Sequence, residues 1–216
     1  MKRFVLIIII TCTCCNVFAQ ADRNVKRLTQ YLFADFVDGR VLQKSGSVIN
    51  TKLNYNTLTQ EMIFKQGDQN LALADPASVD TVYLNNRKFV FVKNAFYDVA
   101  LNAAIGLYIQ YTSDIISSGA ETGFGKTQTS AASGITDLKS TGKAYSLSLL
   151  DEYTIKNKAN YFLKKDGNYI AISGLKDVKK VFAGKEDVID AFVKSNKISF
   201  KNADDIIKLI QFCNNN

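Results

Sequence analysis

The sequence predicts an α+β fold: an antiparallel, strongly curved or barrel-like sheet, laid out as a meander, with short helices at its C-terminal end. Three observations predict it. Apolar and polar residues alternate from Val48 to Val92, most clearly in Leu53 to Phe64 (LNYNTLTQEMIF), which is the period-two signature of strands with one wet face. Turn residues close each of these runs. After Ser173 the apolar period becomes helical, so strands precede helices and an alternating βαβ arrangement is excluded.

The chain divides into an export signal over residues 1–19 and an α+β domain over residues 20–216. Lys2 and Arg3 form a positive n-region, Phe4 to Cys15 is apolar, and Val17-Phe18-Ala19 supplies small residues for cleavage after Ala19. The apolar run is too short for a membrane span, which needs roughly twenty residues. Cys12, Cys14 and Cys15 raise the possibility of lipidation, but Ile9, Ile10 and Thr11 place no small residue ahead of Cys12. Cleavage leaves Cys213 as the sole thiol, hence no internal disulfide, and its apolar neighbours make it a small buried hydrophobe.

Within the strand-rich body, residues 20–173, Val25, Leu28, Tyr31 and Leu32 have the spacing of a short N-terminal helix. Val41 begins a strand after the turn signal Asp38-Gly39. Gly46 precedes a strand with Ile49, Thr51, Leu53 and Tyr55 on one face. Asn54 to Thr57 reads as the hairpin connection, and the return strand turns Leu58, Met62 and Phe64 inward, opposite Thr59, Glu61 and Lys65. Gly67-Asp68 and Asn85-Asn86 mark further turns, the second joining strands Val79 to Leu84 and Lys88 to Val92. Phe96 to Leu101 and Ile105 to Tyr111 continue the meander. Ser117 to Gly142 is rich in Gly, Ser, Thr and Ala and reads as a mobile loop. Tyr145 to Ile155, Asn160 to Lys164 and Asn168 to Ile172 are the last strands, with Asp166-Gly167 a two-residue primed turn.

The helical cap, residues 174–216, holds three apolar stripes. Leu175, Val178, Val181 and Phe182 form the first, ended by Gly184, and Val188, Ile189, Phe192 and Val193 the second. Asn202 caps the third, with Asp204 and Asp205 in its first turn and Ile206, Ile207, Leu209, Ile210 and Cys213 inward.

The runs LNYNTLTQEMIF, ADPASVDTVYLNNRKFVFV and SFKNADDIIKLIQFCNN together resemble exported proteins of Bacteroidota-type bacteria. In that family a strand-rich body precedes a short C-terminal helical segment. The resemblance implies a compartment and a fold, and carries no catalytic residue across.

Candidate chemistry is sparse, and no catalytic, cofactor-binding or metal-ligating residue is assigned. The chain has no histidine, which removes the commonest general base and most zinc sites. Ala120 to Thr127 (AETGFGKT), with Leu147 to Glu152 downstream, imitates a phosphate loop, but QTSAASGITD follows it where a helix is required. Glu61, Asp80, Asp35 and Asp38 are the carboxylates available for a hydrolase, each also readable as an outward strand residue or turn former. No spacing isolates a Ser-Lys pair. Tyr55, Tyr83, Tyr97, Tyr108, Tyr111, Tyr153, Tyr161 and Tyr169 offer a carbohydrate or peptide face, or half-buried strand positions. Asp80-Thr81-Val82 matches a short glycosylation pattern. The net charge of +7 is dispersed, with arginine scarce, which argues for a solvated surface and against nucleic acid.

These features predict a non-enzymatic exported envelope protein, periplasmic or outer-membrane associated, that binds or scaffolds. The partner is an envelope protein or glycan, with no transmembrane span and with peripheral membrane association allowed. The alternatives are a carrier of a lipid or other apolar ligand inside the curved sheet and, third, a carboxylate-dependent hydrolase.

Overall fold

A computed structural model describes residues 30–117, 121–122, 125–126 and 153–216. The export signal, the start of the N-terminal stretch, Tyr145 to Glu152 and most of Ser117 to Gly142 lie outside the described residues. Strands β1 (Val37–Gln43), β2 (Val48–Asn56), β3 (Glu61–Gln66) and β4 (Gln69–Ala72) come first. They are followed by β5 (Val79–Leu84), β6 (Arg87–Val92), β7 (Ala95–Leu101) and β8 (Gly106–Ser117). Two-residue strands β9 (Glu121–Thr122) and β10 (Gly125–Lys126) pair only with each other, before β11 (Tyr153–Lys165) and β12 (Asn168–Ile172). Helices α1 (Leu175–Val181), α2 (Glu186–Asn196) and α3 (Ala203–Asn215) close the chain.

Ten strands form one antiparallel sheet in the order β12-β11-β8-β7-β6-β5-β1-β2-β3-β4. The order has two ends, so the sheet is open, and the barrel-like form among the expectations from sequence is not the one that forms. The sheet is also not a plain meander, because β5 returns to pair with β1 and not with β4. The reason lies at Asp75-Pro76. Asp75 takes a left-handed φ of 45°, and Pro76 brings no N–H to a ladder, so the chain leaves β4 through the 3₁₀ turn Pro76–Ser78. Lys44 N then donates to Ser78 O and draws the crossing segment to β1.

Most of the turn chemistry read from the sequence is present. Asp166 and Gly167 both have positive φ (50° and 78°) and join Lys165 to Asn168 in a two-residue hairpin. Asn85-Asn86 and Gly67-Asp68 also make two-residue connections for their strands, with positive φ at Asn85 (50°) and Gly67 (60°). Other boundaries move. Asp38-Gly39 lies inside β1, where a side chain at Gly39 would sit 2.8 Å from Leu53 Cδ1 and 2.9 Å from Leu84 Cδ2, so close packing, not a turn, calls for that glycine. The hairpin between β2 and β3 turns at Thr57–Gln60, because Asn54 holds the preceding segment while Asn56 Oδ1 accepts from Leu58 N and Thr59 N. Tyr31, expected on a short N-terminal helix, instead bridges Asn56 as extended backbone, while Val25 and Leu28 lie outside the described residues. Strand β11 is continuous where the sequence suggests two pieces, because β8 pairs with it along its length.

Two large cores result. Val41, Leu53, Tyr55, Met62, Val82, Leu84, Phe89 and Phe96 fill the concave side of the first half of the sheet. The helices cover the other half, packing Val178, Ile189, Ile206, Leu209 and Ile210 on Leu107, Leu163 and Ile172. Asn202 Oδ1 accepts from Asp204 N, the cap expected of α3. Val188, expected inward on α2, is 50% exposed, because Ile189, Phe192 and Val193 take the packed stripe. No described helix is long and apolar enough to cross a membrane.

If the helical cap is integral to the fold, Leu209→Ala will cost about 2–5 kcal/mol in urea-melt stability, as other fully buried leucines do. Val188→Ala should stay within about 0.5 kcal/mol. Equal, small effects at both positions would show α3 to be dispensable.

Candidate functional site

The carboxylates singled out in the sequence do not converge. Thr81, next to Asp80, pairs with Leu42 at one end of β1, whereas Glu61 pairs with Asn56, beyond the other end. At about 3.3 Å per residue they lie some 20 Å or more apart along the strands, far beyond the roughly 5–9.5 Å of a glycosidase pair. Asp38 faces Lys52 across an exposed pair at 3.5 Å, and Asp35 uses its backbone carbonyl to hold the Asn54 amide. Thr81 is 2% exposed with its hydroxyl donating to Asp80 Oδ2, so it is closed to glycosylation. Glu121-Thr122 and Gly125-Lys126 pair as two short antiparallel strands, and the segment after Lys126, where phosphate binding requires a helix, lies outside the described residues. Cys213 is buried at 1% exposure, and burial pushes its thiol up to about 11. Among the described residues no three acidic or cysteine side chains gather as metal donors.

What the fold does bring together is a buried polar cluster the sequence reading missed. Asp98 on β7 has a side chain only 5% exposed, and its Oδ2 lies 3.1 Å from Arg87 Nε on the adjacent β6. Tyr111 Oη on β8 donates to the same oxygen (3.2 Å) and accepts from Arg87 Nη2 (2.5 Å). The guanidinium also lies 5.0 Å from the Tyr111 ring centre. A signal for it existed: Asp98 is in phase with the core residue Phe96, and Arg87 with Phe89, so period two placed both charges inward.

The cluster sits where the sheet curls. Pairing between β7 and β8 ends at Asp98↔Ile109, and β8 continues without β7 beyond that point. The corner between β2 and β3 meets β8 there. Tyr55 Oη donates to Tyr111 O (3.1 Å), Gln110 Nε2 donates to Gln60 Oε1 (2.6 Å), and Thr57 Oγ1 lies 2.6 Å from Ser113 Oγ. Burial raises the Tyr55 and Tyr111 phenols well above their ordinary value, helped at Tyr111 by the Asp98 charge, so both remain neutral donors.

The second consequence is an open strand edge. β8 and β11 pair from Gly106↔Lys164 to Ser117↔Tyr153, but β12 covers β11 only from Tyr161 to Lys165. Among the described residues no strand pairs with Tyr153 to Asn160 on the side away from β8, and Lys156 to Asn160 are all exposed. β12 stops because Asp177 Oδ2 accepts both the Ser173 N–H (3.0 Å) and its hydroxyl (2.8 Å), turning the chain into α1. At this step lies a groove of about 500 Å³, lined by Ala159, Asn160, Tyr161, Ile172, Ser173 and Phe200 among others. The tyrosines of the opposite face mostly pack on one another: Tyr97 lies 5.0 Å from Phe162, and Tyr108 5.0 Å from Tyr169. Comparison with protein-family models, curated proteins and solved structures found no match to this chain.

The Asp98 cluster has a pH signature. Burial raises its carboxyl, while Arg87 and the Tyr111 hydrogen bond hold it down in part. A carboxyl raised in the folded state binds its proton more tightly there, so its contribution is full at low pH and declines as pH rises through the folded value. Relative to Asp98→Asn, the wild-type melting temperature should therefore fall as pH rises above about 4. A difference that is flat or grows with pH would contradict this assignment.

Proposed function

We propose that this is a non-enzymatic exported envelope protein, a binding or scaffolding module that engages its partner at the open edge of β11 and the adjoining groove. The observation that carries the reading is the contrast between a filled concave side and an uncovered edge. Leu53, Tyr55, Met62, Phe89 and Phe96 occupy the concave side as fully buried side chains. A lipid carrier would need that space for its cargo. Hydrolase chemistry would need paired carboxylates, and the inward Asp98 is engaged by Arg87 and Tyr111 instead. The sequence supports export through its Lys2-Arg3, apolar and Val17-Phe18-Ala19 pattern. On this reading it belongs with the strand-rich exported proteins of Bacteroidota-type bacteria that it resembles, in the periplasm or at the outer membrane.

The test is amide hydrogen exchange on residues 20–216 with and without an extract of the native cell envelope. Slowed exchange should be confined to Lys156 to Phe162, Ser173 and the stretch around Phe200. Slowed exchange across β2, β3 and β6 on adding the lipid fraction alone would favour the carrier, and no change anywhere would remove the module reading.

A further inference from the structure

We propose that the edge of β11 accepts an extended segment of a partner protein, with acidic and apolar side chains alternating, as an eleventh strand of the sheet. The inference rests on the binding-module reading and adds the partner's chemistry. An uncovered strand presents a row of backbone N–H and C=O groups, and an added strand satisfies them while side-chain positions set specificity.

Direction follows from β12. It runs antiparallel to β11, with Ile172 opposite Tyr161, and Ser173 is then pulled away by Asp177. An incoming strand that continues the line of β12 along Asn160 to Tyr153 keeps the antiparallel pattern, which is the more stable one. Its first residues abut Ser173. Its inward side chains meet the groove beside Tyr161, Ile172 and Phe200, which calls for apolar groups.

Charge sets the other face. Lys156 and Lys158 share one face of β11 by period two, within the stretch that β12 does not reach; Lys164, on the same face, lies opposite Tyr169 of β12. Asp114 on β8 is the ion-pair partner of Lys158 and stands opposite Lys156 in register. The edge therefore presents an excess of positive charge to the strand position beside it, and acidic residues there gain cross-strand pairs. In a second copy of this chain, the antiparallel registers that set Lys156 opposite Lys156 or Lys158 oppose like charges and are disfavoured. On the opposite face Tyr97, Tyr108, Phe162 and Tyr169 pack on one another, so those rings are not free to stack on a sugar.

The experiment uses residues 20–216 and three labelled twelve-residue peptides: alternating Glu and Val, alternating Lys and Val, and the Glu-Val peptide with central prolines. Fluorescence anisotropy should show binding of the Glu-Val peptide, at least tenfold weaker binding of the Lys-Val peptide, and none of the proline form. Lys156→Glu, at an exposed position, should weaken the Glu-Val peptide about tenfold, and Phe200→Ala should weaken it without altering charge preference. Exchange at Lys156 to Asn160 should slow in the complex. Absence of Glu-Val binding, or binding indifferent to the prolines and to Lys156→Glu, overturns the inference. Slowed exchange at the same amides by the envelope extract's polysaccharide fraction, with no peptide binding, overturns the strand partner while leaving the module reading intact. If neither extract nor peptide slows exchange, both fall.

Discussion

The curl of the sheet depends on a closure made by side chains in place of a ladder. Beyond Ile109, β8 leaves β7, and the corner between β2 and β3 reaches its freed edge through Tyr55, Thr57 and Gln60. Asp98, Arg87 and Tyr111 lie where that happens. Taking Asp98 out of water is costly on its own, and it is tolerable because a guanidinium and a phenol meet it in good geometry. The cluster ties β6, β7 and β8 together at the place where backbone pairing between the last two ends.

The same divergence shapes the far end of the molecule. Because β8 departs from β7, it carries β11 with it as a two-stranded ribbon, and β12 is too short to cover that ribbon's outer edge. The short length of β12 is a local matter of Ser173 and Asp177, and the groove beside Phe200 is the space left at the step. Side chains fill the concave side that a carrier would use, while no strand among the described residues covers the edge a partner strand could use. Lysines along that edge are a common guard against self-association, and they also select the sign of any partner.

Much of the fold was legible because its signals are local. Asp166-Gly167 and Asn85-Asn86 demand left-handed backbone, and the stripes of α1 and α3 repeat at helical spacing, so these elements appear where the sequence places them. What was not legible is non-local. Nothing near Pro76 says that β5 will return to β1, and alternation alone cannot tell a closed barrel from an open curl, since both need one apolar face. Gly39 looked like a turn because its reason, the approach of Leu53 and Leu84, comes from two other strands. The Asp98 cluster was half visible: phase placed Asp98 and Arg87 inward, but their partnership needs the register Phe89↔Asp98. The open edge of β11 was invisible, because it depends on where β12 stops.

The most direct test of the closure is a double-mutant cycle between Arg87→Met and Tyr111→Phe, read as unfolding free energy. Both side chains act on Asp98 Oδ2 and on each other, so the cycle should return a coupling of about 1 kcal/mol or more. Additivity within about 0.5 kcal/mol would mean that the two act independently and that the curl is held by apolar packing alone.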